Sequence, residues 1–125
     1  MESAIRQTLR PILNDVRLAI RFNVPRTKLS DNTAHAVLRI IRELVSNSIK
    51  HGSATRIAIA GGIEKNRLMF SVSDNGCGFD AENTPGPAAG HFGLTGIRER
   101  LRGFAGTMHI ESTGGKGTRT VISMS

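Results

Sequence analysis

Hydrophobic positions along the chain repeat with two periods, which separate helices from strands. The clearest helical repeat, with apolar residues three and four apart, is predicted to begin at a Ser30 or Asp31 cap and to stop at Gly52. Shorter helices are predicted over residues 2–13 and 94–104. The apolar stripe of the long helix is predicted to contain Ala34, Val37, Leu38, Ile41, Leu44, Val45 and Ser48.

Strict alternation of apolar and polar residues predicts strands around these helices. Gly61 and Gly62 are expected near the turn between the second and third strands, and residues 80–91, rich in glycine and proline, are expected to form a mobile loop. The alternating runs are residues 16–22, 56–59, 68–72, 107–112 and 118–124. No repeat or internal boundary divides the pattern, so a single domain over residues 1–125 is predicted.

Composition limits the class of protein. With 125 residues, 38% of them hydrophobic, the chain has the composition of a soluble globular domain. No apolar run approaches the ~20 residues that span a bilayer, and the N-terminus lacks the continuous apolar core of a signal peptide. The single cysteine, Cys77, excludes an internal disulfide and a cysteine-based zinc site, and a reducing, cytoplasmic setting is expected.

The charge suggests a nucleic-acid partner, but the other residues weaken that interpretation. Lys and Arg number 17 against 10 Asp and Glu, which gives a net charge of +7. The chain has no Trp or Tyr and its 5 Phe are scattered, so a stacking platform for bases is poorly supported. A solvated basic surface, or attraction for one polyanionic ligand, explains the charge equally well.

Glycine is concentrated in one half of the chain. Of the 14 glycines, all but Gly52, Gly61 and Gly62 lie between Gly76 and Gly117, in clusters that follow a strand or precede a helix. Backbone there can approach a ligand closely and offer N–H donors to a polyphosphate. The spacing fits neither G-x-x-x-x-G-K-[ST] nor a strand-following G-x-G-x-x-G, so any nucleotide must be bound in another way.

Three polar residues of the long helix carry candidate chemistry. Glu43, Asn47 and Lys50 fall in one row, on the face opposite the apolar stripe. They could serve as a base, a metal ligand and a phosphate contact. Any solvated helix face shows such residues, however, and for the row alone that simpler interpretation is favoured.

Two glycine motifs add to this row. Asp74 begins Asp-Asn-Gly-x-Gly at the end of a strand and could offer a carboxylate to an exocyclic amine, although an ordinary β-turn is equally consistent. Residues 93–96, Gly-Leu-Thr-Gly, open a helix and could bind an anion there. Beyond them, Arg98, Arg100 and Arg102 are expected to be solvated charges rather than phosphate ligands.

The order of these motifs resembles the Bergerat-fold (GHKL) ATP-binding domain shared by gyrase, histidine kinases and mismatch-repair ATPases. The resemblance covers about residues 16–125, and it is strongest to two-component sensor kinases of the nitrate-sensor and thermosensor type. It implies a two-layer α/β sandwich, with helices on one face of a mixed, mainly antiparallel sheet. The matching motifs are Glu43-x-x-x-Asn47-x-x-Lys50-His51, Asp74-x-Gly76-x-Gly78-Phe79, Gly93-Leu94-x-Gly96-Ile97-x-Glu99-Arg100 and Gly117-Thr118.

The resemblance also implies a role for each matching residue. Asn47 would hold Mg²⁺ through its side-chain oxygen, and Lys50 and His51 would meet the ATP phosphates. Asp74 would accept a hydrogen bond from the adenine amino group, and Glu43 would be the general base or orient the attacking group. The other implied ATP-binding positions are Gly76, Gly78, Gly93, Leu94, Thr95, Gly96 and Thr118.

The implied function is ATP- and Mg²⁺-dependent phosphoryl transfer to a histidine in two-component signalling. None of His35, His51, His91 and His109 resembles a phosphoacceptor, so a dimerisation domain that carries it is expected in the same parent chain or in trans. A response regulator would act downstream, and the parent protein could be membrane-anchored. No nucleic-acid partner is expected, and the isolated domain is expected to be a monomer.

Two alternatives stay open. A stand-alone anti-sigma-factor serine kinase of the same superfamily has a similar size, but Gly-Ile-Arg-Glu-Arg-Leu is more similar to the sensor kinases. A non-catalytic nucleotide-sensing or protein-docking domain is opposed by the intact pair of Glu43 and Asn47. A nucleic-acid-binding module ranks last.

Overall fold

The computed structural model describes residues 1–25, 29–52, 54–76, 92–112 and 117–124. Within these ranges the chain forms helices α1 (Glu2–Leu13), α2 (Asp31–Gly52) and α3 (Phe92–Arg102). The strands are β1 (Arg17–Phe22), β2 (Arg56–Glu64), β3 (Arg67–Asp74), β4 (Thr107–Ser112) and β5 (Thr118–Met124). Within the same ranges, no helix combines the length and the apolar character needed to cross a membrane.

The strands form one sheet in the order β1-β2-β3-β5-β4. The edge strand β1 pairs in parallel with β2, whereas the other pairings are antiparallel. A parallel pair needs a long crossover, and α2 supplies it because this helix lies between β1 and β2 in the chain. The prediction of a mixed, mainly antiparallel sheet is confirmed.

One face of the sheet carries the core, and the helices cover it. Along β2, Ile57 and Ile59 are buried while Arg56, Ala58 and Ala60 are exposed, the alternation expected of a sheet with one covered face. Side chains from the helices and the strands join in a single buried cluster. Its most deeply buried members include Ile5, Leu9, Ile40, Ile41, Ile57, Ile59, Ile97, Leu101, Ile122 and Met124.

Helix α2 is buried over a wider arc than its apolar stripe predicted. The helix begins as expected, because the Ser30 hydroxyl oxygen accepts a hydrogen bond from the Thr33 N–H at 3.1 Å. Ala36 and Ile40 lie outside the predicted stripe, yet both are buried, whereas Leu38 within the stripe is half-buried. The physical reason is that α1 and α3 both pack against α2, so that α2 has apolar neighbours besides the sheet.

The turn between β2 and β3 lies further along the chain than predicted. Strand β2 continues through Gly61 and Gly62, and the turn is made by Lys65 and Asn66, which have φ values of 53° and 62°. Gly61 serves packing instead, because a Cβ there would lie 2.5 Å from the Phe22 ring on β1. The glycine pair was expected near the turn, and the turn begins three residues after it, while both glycines belong to β2.

Candidate functional site

Asp74 ends β3 with its carboxylate already hydrogen-bonded. The Asp74 Oδ1 accepts a hydrogen bond from the Gly76 N–H at 2.8 Å, so the carboxylate closes the turn that follows the strand. Across the sheet, Asp74 is paired with Thr118, the first residue of β5. Two predicted site residues that lie far apart in the sequence are thus neighbours on adjacent strands.

Ser48 of α2 lies against the other oxygen of this carboxylate. The Ser48 hydroxyl is 2.6 Å from Asp74 Oδ2 and 3.0 Å from the Leu44 carbonyl oxygen one turn earlier. A hydroxyl has a single proton, and the short contact to a charged acceptor favours donation to the carboxylate. Because Ser48 follows Asn47, this bond joins the motif on α2 to the motif at the end of β3.

The role of Ser48 was missed from the sequence. The helical period places it in the apolar stripe of α2, and no chemistry was assigned to it. The available signal was the residue type itself, since a hydroxyl at a position that faces the core needs a hydrogen-bonding partner there.

The backbone around Asp74 is fixed from two sides. The Asn75 side-chain oxygen accepts hydrogen bonds from the N–H groups of Thr55 and Arg56, at 3.0 and 2.9 Å, which ties the end of β3 to the start of β2. Gly117 has a φ of 89°, and a Cβ there would collide with the Asp74 carbonyl oxygen. No role was predicted for Asn75, whose contacts are long-range and leave no pattern in the sequence.

The row on α2 borders an open groove. Glu43 and Asn47 are half-buried and line a groove of about 580 Å³ between α2 and α1, while Lys50, one turn further along, is exposed. Glu43 and Asn47 thus border the groove on the outward side of α2, but neither side chain is fully exposed. Both are partly covered because neighbouring helices flank this side of α2.

The Glu43 carboxylate is paired with an arginine of α3. The Glu43 Oε1 lies 3.2 Å from Arg100 Nη1 and 4.0 Å from Arg39 Nε. Arg100 was expected to be a solvated charge, but its side chain is only 27% exposed because it bridges α3 and α2. Arg98 and Arg102, in contrast, are exposed as expected.

Helix α3 begins at Phe92, two residues before the predicted start, so residues 93–96 form its first turn. The N–H groups of a first turn have no acceptor within the helix, and together with the helix dipole they favour an anion. Gly96 is exposed, and a Cβ there would meet no atom within 4 Å. Outside the described structure lie Gly78, the predicted mobile loop at residues 80–91, and the side chains of His51, Leu94 and Thr95.

The described residues offer no ready-made metal cage. No group of three or more histidine, cysteine or acidic side chains comes together within those ranges. The half-buried Asn47 amide lines the open groove and can provide a single oxygen ligand. That fits Mg²⁺, which keeps several waters and is commonly held by one or two protein ligands together with substrate phosphates.

Residues 32–125 match a family of known proteins, described as histidine kinase-, DNA gyrase B-, and HSP90-like ATPases. The matched range contains all the predicted site residues, whereas α1 and β1 precede it. The resemblance to the GHKL family is therefore confirmed.

Curated relatives of the chain are bacterial sensor kinases. UhpB of Salmonella typhimurium, a signal transduction histidine-protein kinase/phosphatase, is 31% identical over 125 residues, which cover 94% of this chain and 24% of UhpB. The sensor histidine kinase YdfH of Bacillus subtilis is 42% identical over 97 residues, or 77% of this chain and 24% of YdfH. The nitrate/nitrite sensor NarQ of Escherichia coli is 32% identical over 127 residues, or 98% of this chain and 22% of NarQ. The chain thus spans about a quarter of the length of these relatives.

Solved histidine kinases share the fold. Full-length ShkA in complex with AMPPNP matches 98% of this chain and 29% of its own, with a TM-score of 0.77 and 18% identity. The histidine kinase domain of the blue-light activated kinase EL346 from Erythrobacter litoralis matches 98% of this chain and 56% of its own, with a TM-score of 0.75 and 17% identity. At such low identity these matches establish the α/β sandwich alone.

Proposed function

We propose that this chain, which belongs to the family of histidine kinase-, DNA gyrase B-, and HSP90-like ATPases, is the ATP-binding catalytic domain of a sensor histidine kinase. The relatives described above are named as sensor kinases, which favours this function over an anti-sigma-factor serine kinase or a non-catalytic nucleotide sensor. We also propose that residues 1–125 form one domain. Ile5 and Leu9 of α1 support this, because both are fully buried in the same core as the matched residues.

The observation that carries the proposal is the Asp74 carboxylate, which is oriented before any nucleotide arrives. One oxygen accepts from Gly76 and the other from Ser48, and each keeps a further lone pair for a ligand. The exocyclic amine of adenine is a donor and suits this acceptor, whereas guanine presents a carbonyl oxygen at the same position. Thr118, Gly76 and Gly78 would complete the adenine pocket.

The phosphates would lie beside the row of Glu43, Asn47 and Lys50 on α2 and at the start of α3. Lys50 and His51 would contact them from the end of α2, and the N–H groups of residues 93–96 would contact them from the first turn of α3. Asn47 would hold the Mg²⁺ ion, which when bound neutralises charge on the phosphate oxygens. The open space beside Gly96 supports this placement.

The transfer step would use Glu43. A lone pair on one imidazole nitrogen of the acceptor histidine attacks the γ-phosphorus, and the bond from that phosphorus to the bridging oxygen breaks, with its electrons leaving on ADP. Positive charge builds on the imidazole, whose other nitrogen carries an N–H. Glu43 would accept a hydrogen bond or the proton from that N–H as the charge develops.

Partners and location follow from this activity. The acceptor histidine would come from a dimerisation domain in the same parent chain or in trans, and a response regulator would receive the phosphoryl group. The isolated domain would be a monomer that works in the cytoplasm, where ATP is supplied, even if its parent protein is anchored in a membrane. The relatives support a signalling role of this kind.

Nucleotide binding gives the direct test. We expect ATP with Mg²⁺ to bind in titration calorimetry, GTP to bind much more weakly, and Asp74→Asn to lower ATP affinity about 5- to 150-fold. The substitution keeps the shape but replaces an acceptor oxygen with a donor facing the adenine amine. Unchanged ATP affinity in Asp74→Asn, with the fold intact by circular dichroism, would contradict the assignment.

A further inference from the structure

A groove runs along the outward side of α2, where α1 lies beside it. This α1/α2 groove extends from His35, near the start of α2, to Asn47, with Thr8 of α1 on the opposite wall. At about 1.5 Å of rise per residue, that stretch of α2 measures about 18 Å, equal to about three turns of a partner helix. The groove is therefore long enough to receive an element of secondary structure.

The side chains that line the groove combine positive charge with apolar surface. Arg39 and Arg42 are exposed, and Leu38, which also lines the groove, is half-buried. Arg42 forms no ion pair with any carboxylate in the part of the chain that the structure describes. Arginines beside an apolar strip complement an amphipathic helix whose apolar face is flanked by acidic residues.

The groove includes the candidate catalytic group, Glu43, but is separate from the adenine end of the site. Glu43 and Asn47 line the groove itself. Arg39 and Ser48 are nine residues apart, which places them about 180° apart around α2. Because Ser48 faces Asp74 on the sheet, a partner in the groove reaches Glu43 from the other side and leaves the adenine pocket free.

We propose that the α1/α2 groove docks the helix that carries the phosphoacceptor histidine, an acidic amphipathic helix that places its histidine beside Glu43. The inference rests on the proposed function and adds to it the surface that selects the acceptor. Arg39 and Arg42 attract the acidic side chains, Leu38 packs on the apolar face, and Glu43 at the end of the groove meets the imidazole.

The experiment measures acceptor binding separately from ATP binding. The probe is a fragment of UhpB that carries its phosphoacceptor histidine and ends before the region similar to this chain. We expect Arg42→Glu to weaken binding of this fragment about tenfold or more and to raise its KM in phosphohistidine formation by a similar factor. The ATP affinity should stay unchanged. Arg21→Glu is the matched control, because Arg21 is exposed on the opposite, outer face of the sheet.

Ionic strength gives a second measurement on the wild type. Because Arg39 and Arg42 are exposed, raising the salt should weaken fragment binding in the wild type more than in Arg42→Glu. Equal fragment affinity for Arg42→Glu and wild type would overturn the docking surface, as would a wild type that binds ATP but not the fragment. An Arg42→Glu variant that loses ATP affinity would show that the groove holds phosphates instead. A wild type that does not bind ATP would contradict the proposed function itself.

Discussion

The two ends of the site on α2 are built in opposite ways. At the Ser48 end, the Asp74 carboxylate is partly buried and accepts two short hydrogen bonds, at 2.6 and 2.8 Å. At the Glu43 end, the carboxylate is held by ion pairs, the closer one to Arg100 at 3.2 Å, and it borders an open groove. One carboxylate is fixed by uncharged hydrogen-bond donors, and the other is balanced by the positive charge of arginine side chains.

This difference fits what each end would have to do. Recognition of a base is a ground-state interaction, and it gains affinity when the acceptor is oriented beforehand. A group that assists transfer gains nothing from tight contacts in the resting state, and it must stay accessible to the acceptor. Asp74 should therefore govern nucleotide affinity, and Glu43 should govern the rate of transfer.

Replacing Glu43 should give the largest effect and the sharpest separation of the two ends. Glu43→Gln keeps the shape of the side chain but removes its charge, so phosphohistidine formation should fall by about 10²–10⁴ while ATP affinity is maintained. Radiolabel transfer to an acceptor fragment, with calorimetry in parallel, measures both quantities. Glu64→Gln, at the exposed end of β2, is the control. Full transfer by Glu43→Gln would remove this residue from the mechanism.

A change at Gly117 should disturb the adenine end through the backbone. Gly117→Ala places a Cβ against the Asp74 carbonyl oxygen at a φ of 89°, so we expect a loss of about 1–3 kcal/mol in the free energy of unfolding. Denaturant unfolding measures this loss. In Gly62→Ala, the matched control, the new Cβ meets no atom within 4 Å, so the stability should change little. Equal stability of the two variants would show that Gly117 can relax.

Removal of the Ser48 hydroxyl should have a smaller effect on the same end. Ser48→Ala leaves Asp74 with the Gly76 hydrogen bond alone, so the carboxylate is less well oriented and ATP affinity should fall about tenfold. Titration calorimetry measures the change, and Ser71→Ala on the outer side of the sheet serves as the control. Wild-type affinity in Ser48→Ala would mean that the fold of the turn alone orients Asp74.

Much of the architecture was predictable because it depends on local patterns. The periods of two and three to four residues placed α1, β4 and β5 at their observed bounds, and the Ser30 cap marked the start of α2. The position of the turn at Lys65 and Asn66 was not predictable. A glycine pair is typical of a turn, but Gly61 instead leaves room for the Phe22 ring. A glycine in the sequence therefore does not show whether its position needs space for a neighbouring side chain or an unusual backbone conformation.

The candidate site, like the fold, was predictable only in part from the sequence. Asp74 and Thr118 stand out as motif residues, and their pairing follows from the register of β3 and β5. The contacts of Ser48 with Asp74 and of Arg100 with Glu43 depend on how α2 packs against β3 and α3. Neither contact produces a repeating pattern in the sequence. Motifs therefore indicate which residues take part, whereas the partners that orient them emerge only from the packing of whole elements.

Removal of the ion pair between Arg100 and Glu43 should have the smallest effect, and it gives the last test of the comparison between the two ends. Both side chains are partly exposed, at 27% and 30%, and ion pairs in such settings contribute only about 0–1 kcal/mol to stability. Arg100→Gln should therefore leave the melting temperature nearly unchanged. Arg102→Gln, exposed on the same helix, is the control.

Transfer should also respond only weakly to Arg100→Gln, slowing by less than about tenfold, because Arg39 still lies 4.0 Å from the Glu43 carboxylate. Rates of phosphohistidine formation at saturating ATP measure this. If Arg100→Gln slowed transfer as much as Glu43→Gln, the arginine and the carboxylate would act as one unit. The Glu43 end would then be as rigidly organised as the Asp74 end, and the contrast between them would lie in the type of partner rather than in the degree of order.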